Sequence, residues 1–525
     1  MSHEMLPVKM GSIAVNEEKP GYQNGGAYAG ARTEGTKNTQ TRVRRIFSFA
    51  QIFFFALSYM SSWEAISSNV AFFFWNGGPR ALSFGFFFVI TGVLCQVASM
   101  AEMASVQPIA GAQYHWTHYL APPGHRRFIT WMQGWITWFS WISLLAGVVN
   151  IAALIVQTLV SASFPDYVPK GWHVTLIIYA MLIVQGLMNQ FFFWLLPWME
   201  LLAGLLHIIT WIIFVSVLVT LAPRHSSEFV FLEKTALSGW NNEYVSFNLG
   251  MITATWGFVG FDGAVHMSEE VRKARHAVPR AMFWSIVMNG VLAYGMILVI
   301  LYCLGDVDEI LASGYPLITI CINATQSVTA GSAMVGASMI VTIACSIGSV
   351  ASASRLTWAW SRDGGLPAYF SHIDPKHRIP IRSVWLPIFI VMLLALLNIG
   401  SSIAFSVIVA LSTLGLYQSY LIAIACMLYS RLQGRIEPGG WSLGWWGLPI
   451  NIFAIIYSAY IMIFLCFPSF LPVDATSMNY ALPINAFVQI AAVILWFAWG
   501  KKNWKGLNKE IVDAVVADSD RNTAD

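Results

Sequence analysis

The sequence predicts an all-α protein that crosses a membrane twelve times, and three observations carry that expectation. Only 10% of its 525 residues are charged against 57% apolar and aromatic, apolar stretches of bilayer length recur from Phe47 to residue 500, and the basic residues lie almost wholly on alternate loops. Soluble domains carry roughly 25% charged residues. Here 29 Lys+Arg and 26 Asp+Glu, clustered as they are, cannot cover a water-facing exterior, so the apolar surface faces lipid. The net charge of +3 is spread over short loops and gives no basic patch for nucleic acid.

Residues 1–45 are rich in Gly, Asn, Thr, Glu and Lys without apolar periodicity, which predicts a disordered cytoplasmic tail with no signal-peptide pattern. The twelve expected spans are 47–73, 82–104, 131–158, 172–190, 194–221, 247–268, 281–304, 328–354, 383–399, 403–429, 445–467 and 481–500. Each is long enough for a hydrocarbon core of ~30 Å. Barrel strands would alternate apolar and polar residues, whereas Phe84 to Ala98 and Ile450 to Phe467 are apolar on every face, so the spans read as helices. Residues 46–430 hold the first ten helices as a core, 431–500 the last two, and 501–525 a cytoplasmic C-terminal tail.

With the N-terminus inside, the inner segments hold 25 Lys+Arg and the outer loops four, Arg80, Lys170, Arg224 and Lys234. One span more or fewer would collapse that asymmetry, so both termini are expected in the cytoplasm of a multi-pass protein of the cell membrane, or of the vacuolar membrane. The sequon Asn323-Ala324-Thr325 falls in an expected outer loop and is a glycosylation candidate.

Carboxylates within a membrane are costly and mark candidate sites. Four stand out: Glu64, Glu102, Glu200 and Asp262. The first span carries the polar run Ser58 to Asn69 around Ser61, Ser62, Trp63 and Glu64. Such a run favours local side-chain bonding over a regular ladder, and an unwound segment there must line a cavity. The alternative is a continuous helix with serines packed against its neighbours. The sixth span reads Trp256-Gly257-Phe258-Val259-Gly260-Phe261-Asp262-Gly263. Glycine costs about 1 kcal/mol per helix-interior position, which predicts a second break, with close helix packing through Gly257 and Gly260 as the alternative. Breaks five spans apart match the inverted-repeat logic of secondary transporters, with the site between them.

Three segments, Glu102 to Trp116, Gly257 to Asp262 with Glu269-Glu270 and Pro279-Arg280-Ala281, and Ser354 to Pro367, resemble signature segments of the amino acid/polyamine/organocation permeases. With Pro449-Ile-Asn451 and Met478-Asn479-Tyr480, the chain is most similar to the fungal amino acid/choline transporter branch, over nearly its whole length. The resemblance implies a five-plus-five inverted repeat with two further helices, alternating access, and solute bound at the unwound parts of helices 1 and 6. It places Ser61, Ser62, Trp63, Glu64, Trp256, Gly257, Phe258, Val259, Gly260, Phe261 and Asp262 at the substrate. The chain departs from many relatives in having serines and Glu64 where they have glycine. An ionised Glu64 would attract a cation, and a protonated one would carry a proton, so Glu64 and Asp262 are the proton-coupling candidates.

Trp63, Trp256, Phe258 and Phe261 would suit a quaternary ammonium, or they are ordinary packing in a chain with 23 Trp and 34 Phe. Glu102, Glu269, Glu270, Arg355 and Arg362 gather at the expected inner side, as a breakable gate or as static pairs. Glu200 and His207 share a helix face and suit either a proton relay or bonding within the bundle. Trp131, Trp135, Trp138 and Trp141 form a stripe expected to pack. Cys95, Cys303, Cys321, Cys345, Cys426 and Cys466 read as buried thiols, with a Cys303–Cys321 pairing as the alternative.

No nucleotide-binding Gly-x-x-x-x-Gly-Lys-Ser/Thr occurs, and no set of histidines has metal or nucleophile spacing, so neither an ATP-driven pump nor an enzyme is expected, and no cofactor or metal. The expected function is proton-coupled secondary transport of a small amine or zwitterion such as choline, 4-aminobutyrate or an amino acid. Export of a specialised amine or alkaloid is the alternative, and a channel is disfavoured by broken helices.

Overall fold

The computed structural model describes residues 43–400, 402–474, 478–507 and 512–517, with the side chains of 402–410 outside that description. Of the expected N-terminal tail, 1–42 therefore lies outside the described residues. Among the described residues the architecture is helical, and the one extended pairing is an isolated bridge between Phe47 and Val271.

The first expected span is divided into α1 (Phe49–Met60), α2 (Ser62–Ser68) and α3 (Val70–Trp75). Long α4 (Gly78–Val106) leads through short α5 (Gln113–Leu120), for which the sequence reading had no element, into α6 (Arg126–Ser163). α7 (Gly171–Phe191) and α8 (Leu196–Leu221) follow, then a small α9 (Ser227–Leu232). The sixth expected span is divided as well: α10 (Glu243–Met251), a tighter 3₁₀ stretch Ile252–Phe258, an extended Val259, and the single turn α11 (Gly263–His266). α12 (Ala274–Cys303), α13 (Val307–Ala312), α14 (Pro316–Thr325) and α15 (Val328–Arg362) come next. The chain closes with α16 (Ile381–Ala395), α17 (Leu397–Gly400), α18 (Ser402–Leu432), α19 (Gly447–Leu465), α20 (Ala481–Leu495) and α21 (Lys501–Asn503).

Among the described residues ten helices are long and apolar enough to cross a bilayer, against the twelve spans expected. The two that fall short are the first and the sixth, which the polar run and the glycines divide into pieces. α6, α15 and α18 have about two thirds or more of their apolar windows buried, whereas α8, α19 and α20 have a third or less. The first three are central, and the others present exposed Leu, Ile and Phe, as a lipid-facing helix does. α1 packs against α8, α12 and α15, and α6 runs along both α15 and α18.

α15 continues two turns past its expected end at 354 to Arg362, because its last basic residues are paired with acids inside the bundle. Part of the expected C-terminal tail is also packed. Trp504 is 2% exposed, donating through Nε1 to the Asp363 carbonyl at 2.8 Å. All six cysteines are free thiols, and the Cys303–Cys321 alternative is not realised.

Candidate functional site

The first break turns on one residue. Ser61, at φ 40° and ψ 48°, is left-handed, a conformation that costs a side-chain-bearing residue roughly 1–2 kcal/mol. Its hydroxyl donates to the Ser58 carbonyl at 2.5 Å, and neighbouring helices take up the freed backbone groups. Asn289 on α12 donates to the Leu57 carbonyl at 3.1 Å and accepts from the Ser62 N–H at 3.4 Å, while the Cys345 thiol on α15 donates to the Tyr59 carbonyl at 2.7 Å. A backbone break at membrane depth persists only with such partners.

The second break lies alongside. The Ser62 hydroxyl donates to the Gly257 carbonyl at 2.5 Å, and a Cβ on Gly257 would sit 3.0 Å from the Ser62 carbonyl oxygen, so glycine permits the crossing. Gly260 has φ 88°, open to glycine at little cost, and its N–H donates to the Tyr420 hydroxyl at 3.1 Å.

Between the breaks is a cavity of about 40 Å³, bounded by α1, α2, α6, α15 and the 3₁₀ stretch. At ~10–15 Å³ per water-sized probe, that is room for about three waters. Of the expected substrate residues, Ser61, Glu64, Trp256 and Val259 line it; Ser62, Trp63, Gly257, Phe258, Gly260, Phe261 and Asp262 do not. The sequence reading missed its opposite walls, Leu144, Val148 and Ile151 on α6 and Thr342 and Cys345 on α15, which carry no signal beyond ordinary helix composition. Ser68, at one edge, is bonded to the Tyr315 hydroxyl at 2.7 Å.

Glu64 is 4% exposed. Its Oε1 lies 2.8 Å from Nδ1 of His207 on α8, while among the described residues Glu64 Oε2 and His207 Nε2 have no hydrogen-bond partner. The contact accommodates either a histidine N–H donating to a carboxylate or a carboxylic acid donating to the ring. Trp63 packs on His207 and donates through Nε1 to its carbonyl at 3.2 Å. Glu200 and His207 do not meet each other; the Ser58 hydroxyl lies 2.8 Å from Glu200 Oε2.

Asp262 is differently placed. Fully buried, it has Gln113 Nε2 at 2.5 Å, Trp141 Nε1 at 2.9 Å and His266 Nε2 at 3.2 Å around Oδ2, and the Tyr420 hydroxyl donating to Oδ1 at 2.6 Å. It ties α5, α6 and α18 to the second break. Of the tryptophan stripe, Trp141 reaches this carboxylate, Trp138 donates to Thr357 at 2.9 Å, and Trp131 packs against Trp360, Trp496 and Trp504.

Near the far end of α4, Arg355 donates to Glu270 at 2.9 Å and Arg362 to Glu269 at 3.2 Å, both pairs largely buried. Glu102 joins neither pair: it meets Arg431 of α18 and accepts from the Leu443 N–H at 3.1 Å. The Glu270 carbonyl also accepts from the N–H groups of Ile46 and Phe47, stitching the start of α1 to this cluster. Asn323, the sequon residue, lies on α14 with its amide donating to Glu309 at 2.7 Å. Among the described residues no three His, Cys, Asp or Glu converge as metal ligands.

Residues 47–492 match the family model described as amino acid permease. The chain belongs to the amino acid permease family. A Macrophomina phaseolina protein whose name assigns it to amino acid/polyamine transport is 30% identical over 437 residues, covering 81% of this chain and 96% of that protein. The choline transporter of Saccharomyces cerevisiae is 26% identical over 480 residues, 90% of this chain and 84% of its own length. Amino-acid permease 2 of Neurospora crassa is 26% identical over 479 residues, 88% and 86%. The permease is thus a multi-pass membrane transporter and not an enzyme, and its two broken helices meet around a carboxylate.

Proposed function

We propose that this permease is a secondary transporter of a small amine or zwitterion, such as choline, 4-aminobutyrate or an amino acid, driven by protons through alternating access. The observation that carries the reading is Oε2 of Glu64, without a partner among the described residues and buried on the cavity wall with Trp256 among its other lining residues. A buried carboxylate oxygen without a donor is costly, and a solute ammonium supplies what it lacks. Trp256 adds an aromatic face to which a cation is attracted. The likeness to a choline transporter agrees with such a solute.

The cavity as it stands is too small for these solutes, so loading requires the walls to part. Ser68 with Tyr315 closes one side, and the Arg355–Glu270 and Arg362–Glu269 pairs close the other, as gates that open alternately. The Glu64–His207 pair loads a proton across its Oε1–Nδ1 contact together with the solute on Oε2 and releases both on the other side, which couples solute to proton movement. The divided first and sixth segments complete twelve crossings, arranged as five plus five with α19 and α20 added and both termini in the cytoplasm, in keeping with the 25-to-4 split of basic residues.

The test is to purify the permease in detergent and melt it with choline, 4-aminobutyrate, amino acids and polyamines. A ligand of the folded state raises the Tm by mass action. The positive solute is then followed into proteoliposomes under an imposed pH gradient. Saturable uptake that follows the gradient supports the reading, and linear, gradient-independent flux contradicts it.

A further inference from the structure

At the end of the bundle remote from Glu102, a groove of about 1070 Å³ runs between α4, α10 and α19. It is separate from the solute cavity and shares no lining residue with it. Its lower part is flanked by Phe84 and Ile456, 50% and 60% exposed on two bilayer-crossing helices, so it opens sideways to acyl chains. The volume exceeds the ~300–1,000 Å³ of ordinary small-molecule pockets.

The rim is charged. Arg80, Lys234 and Glu243 sit there, with Lys234 Nζ donating to Glu243 at 2.9 Å. That neighbour holds the Glu243 carboxyl below its ordinary range, so the acid stays ionised and engaged. The Arg80 N–H donates to the Glu233 carbonyl at 3.2 Å, but among the described residues nothing hydrogen-bonds its guanidinium. Two cations and one anion leave the rim a net charge of +1 above an apolar slot.

We propose that this groove binds a phospholipid of net negative charge, with its phosphodiester on Arg80 and Lys234 and one acyl chain between Phe84, Phe88 and Ile456. A singly negative headgroup neutralises the rim, and a guanidinium donates to phosphate oxygens in a fixed fork. A zwitterionic lipid brings a third cation beside Arg80 and Lys234, where it must compete with Lys234 for Glu243. Free phosphate satisfies the rim and leaves the slot empty. The floor is α10, through Phe247, Asn248 and Met251, and α10 runs straight into the 3₁₀ stretch that carries Trp256 to the solute cavity. A seated lipid therefore holds α10 against α4 and α19 and favours the conformation in which they meet.

The test is to melt the full-length protein in detergent with added phosphatidylglycerol, phosphatidylcholine or inorganic phosphate. The comparison is between wild type, the double variant R80Q/K234Q, and R224Q as a basic residue outside the groove. Phosphatidylglycerol should raise the Tm of wild type and R224Q more than phosphatidylcholine does, and that excess should vanish in the double variant. Equal shifts in wild type and double variant, equal shifts from the two lipids, or the full shift from phosphate alone would each overturn the proposal. If the double variant fails to fold, native mass spectrometry of the wild type in an equal lipid mixture decides: preferential retention of phosphatidylglycerol supports the site, and retention in proportion to the mixture overturns it.

Discussion

Each broken helix brings one acid into the protein interior, and the two acids have opposite surroundings. Asp262 beside the second break is met by Gln113, Trp141, His266 and Tyr420, while Glu64 beside the first has His207 on one oxygen and, among the described residues, no partner on the other. A buried carboxylate whose capacity is filled by protein donors is a structural tie, because moving it strands every donor at once. One left short on a cavity wall is free to exchange partners without dismantling a helix junction. Under the proposed function, the contrast gives stability to Asp262 and transport chemistry to Glu64, although both are intramembrane acids beside a break.

Four substitutions sharpen or break that contrast. The largest effect is expected from Asp262→Ala, which strands four donors at ~1–3 kcal/mol each and should cost more than ~4 kcal/mol, seen as loss of monodisperse protein. Asp262→Asn keeps an acceptor for Tyr420 but turns an NH₂ toward Gln113 and Trp141, so a thermal melt should report about 2–3 kcal/mol of destabilisation. An Asn variant melting like wild type would remove the structural role. Glu64→Gln should lower uptake by at least ~10-fold, equivalent to about 1.4 kcal/mol on the barrier, with stability within ~1 kcal/mol of wild type because the amide still bonds His207. The smallest effect belongs to Cys345→Ser, which keeps a donor to the Tyr59 carbonyl and should shift stability by under ~1 kcal/mol and leave uptake near wild type. A large uptake loss there would move weight from Glu64 to the α15 wall of the cavity.

Much of this arrangement is legible in the amino-acid order. Serine clustered around Glu64 and glycine around Asp262 mark where helices stop, because both effects are local: side-chain bonding to nearby backbone, and freedom at φ 88°. Which acid would be satisfied is not local. Three of the four partners of Asp262 come from residues 149, 121 and 158 positions away, and the Arg431 that meets Glu102 is 329 away. Nothing in the periodicity around Gln113, Trp141 or Tyr420 distinguishes them from packing residues, and the stripe containing Trp141 reads as packing alone. The charged cluster near the far end of α4 is legible as a gathering of charge, and the partner of Glu102 is not, because Arg431 sits at the end of a helix many crossings later. Trp504 was hidden for another reason: it follows the last apolar stretch, among lysines, where composition reads as a solvated tail.

The most direct measurement of the central claim is proton and solute flux in the same proteoliposomes, wild type against Glu64→Gln, over a range of external pH with the solute that stabilises the purified permease. The account predicts that wild-type uptake moves protons with solute and depends on pH, and that Glu64→Gln loses both the proton movement and the pH dependence while still folding. Wild-type flux and pH dependence in Glu64→Gln would contradict it.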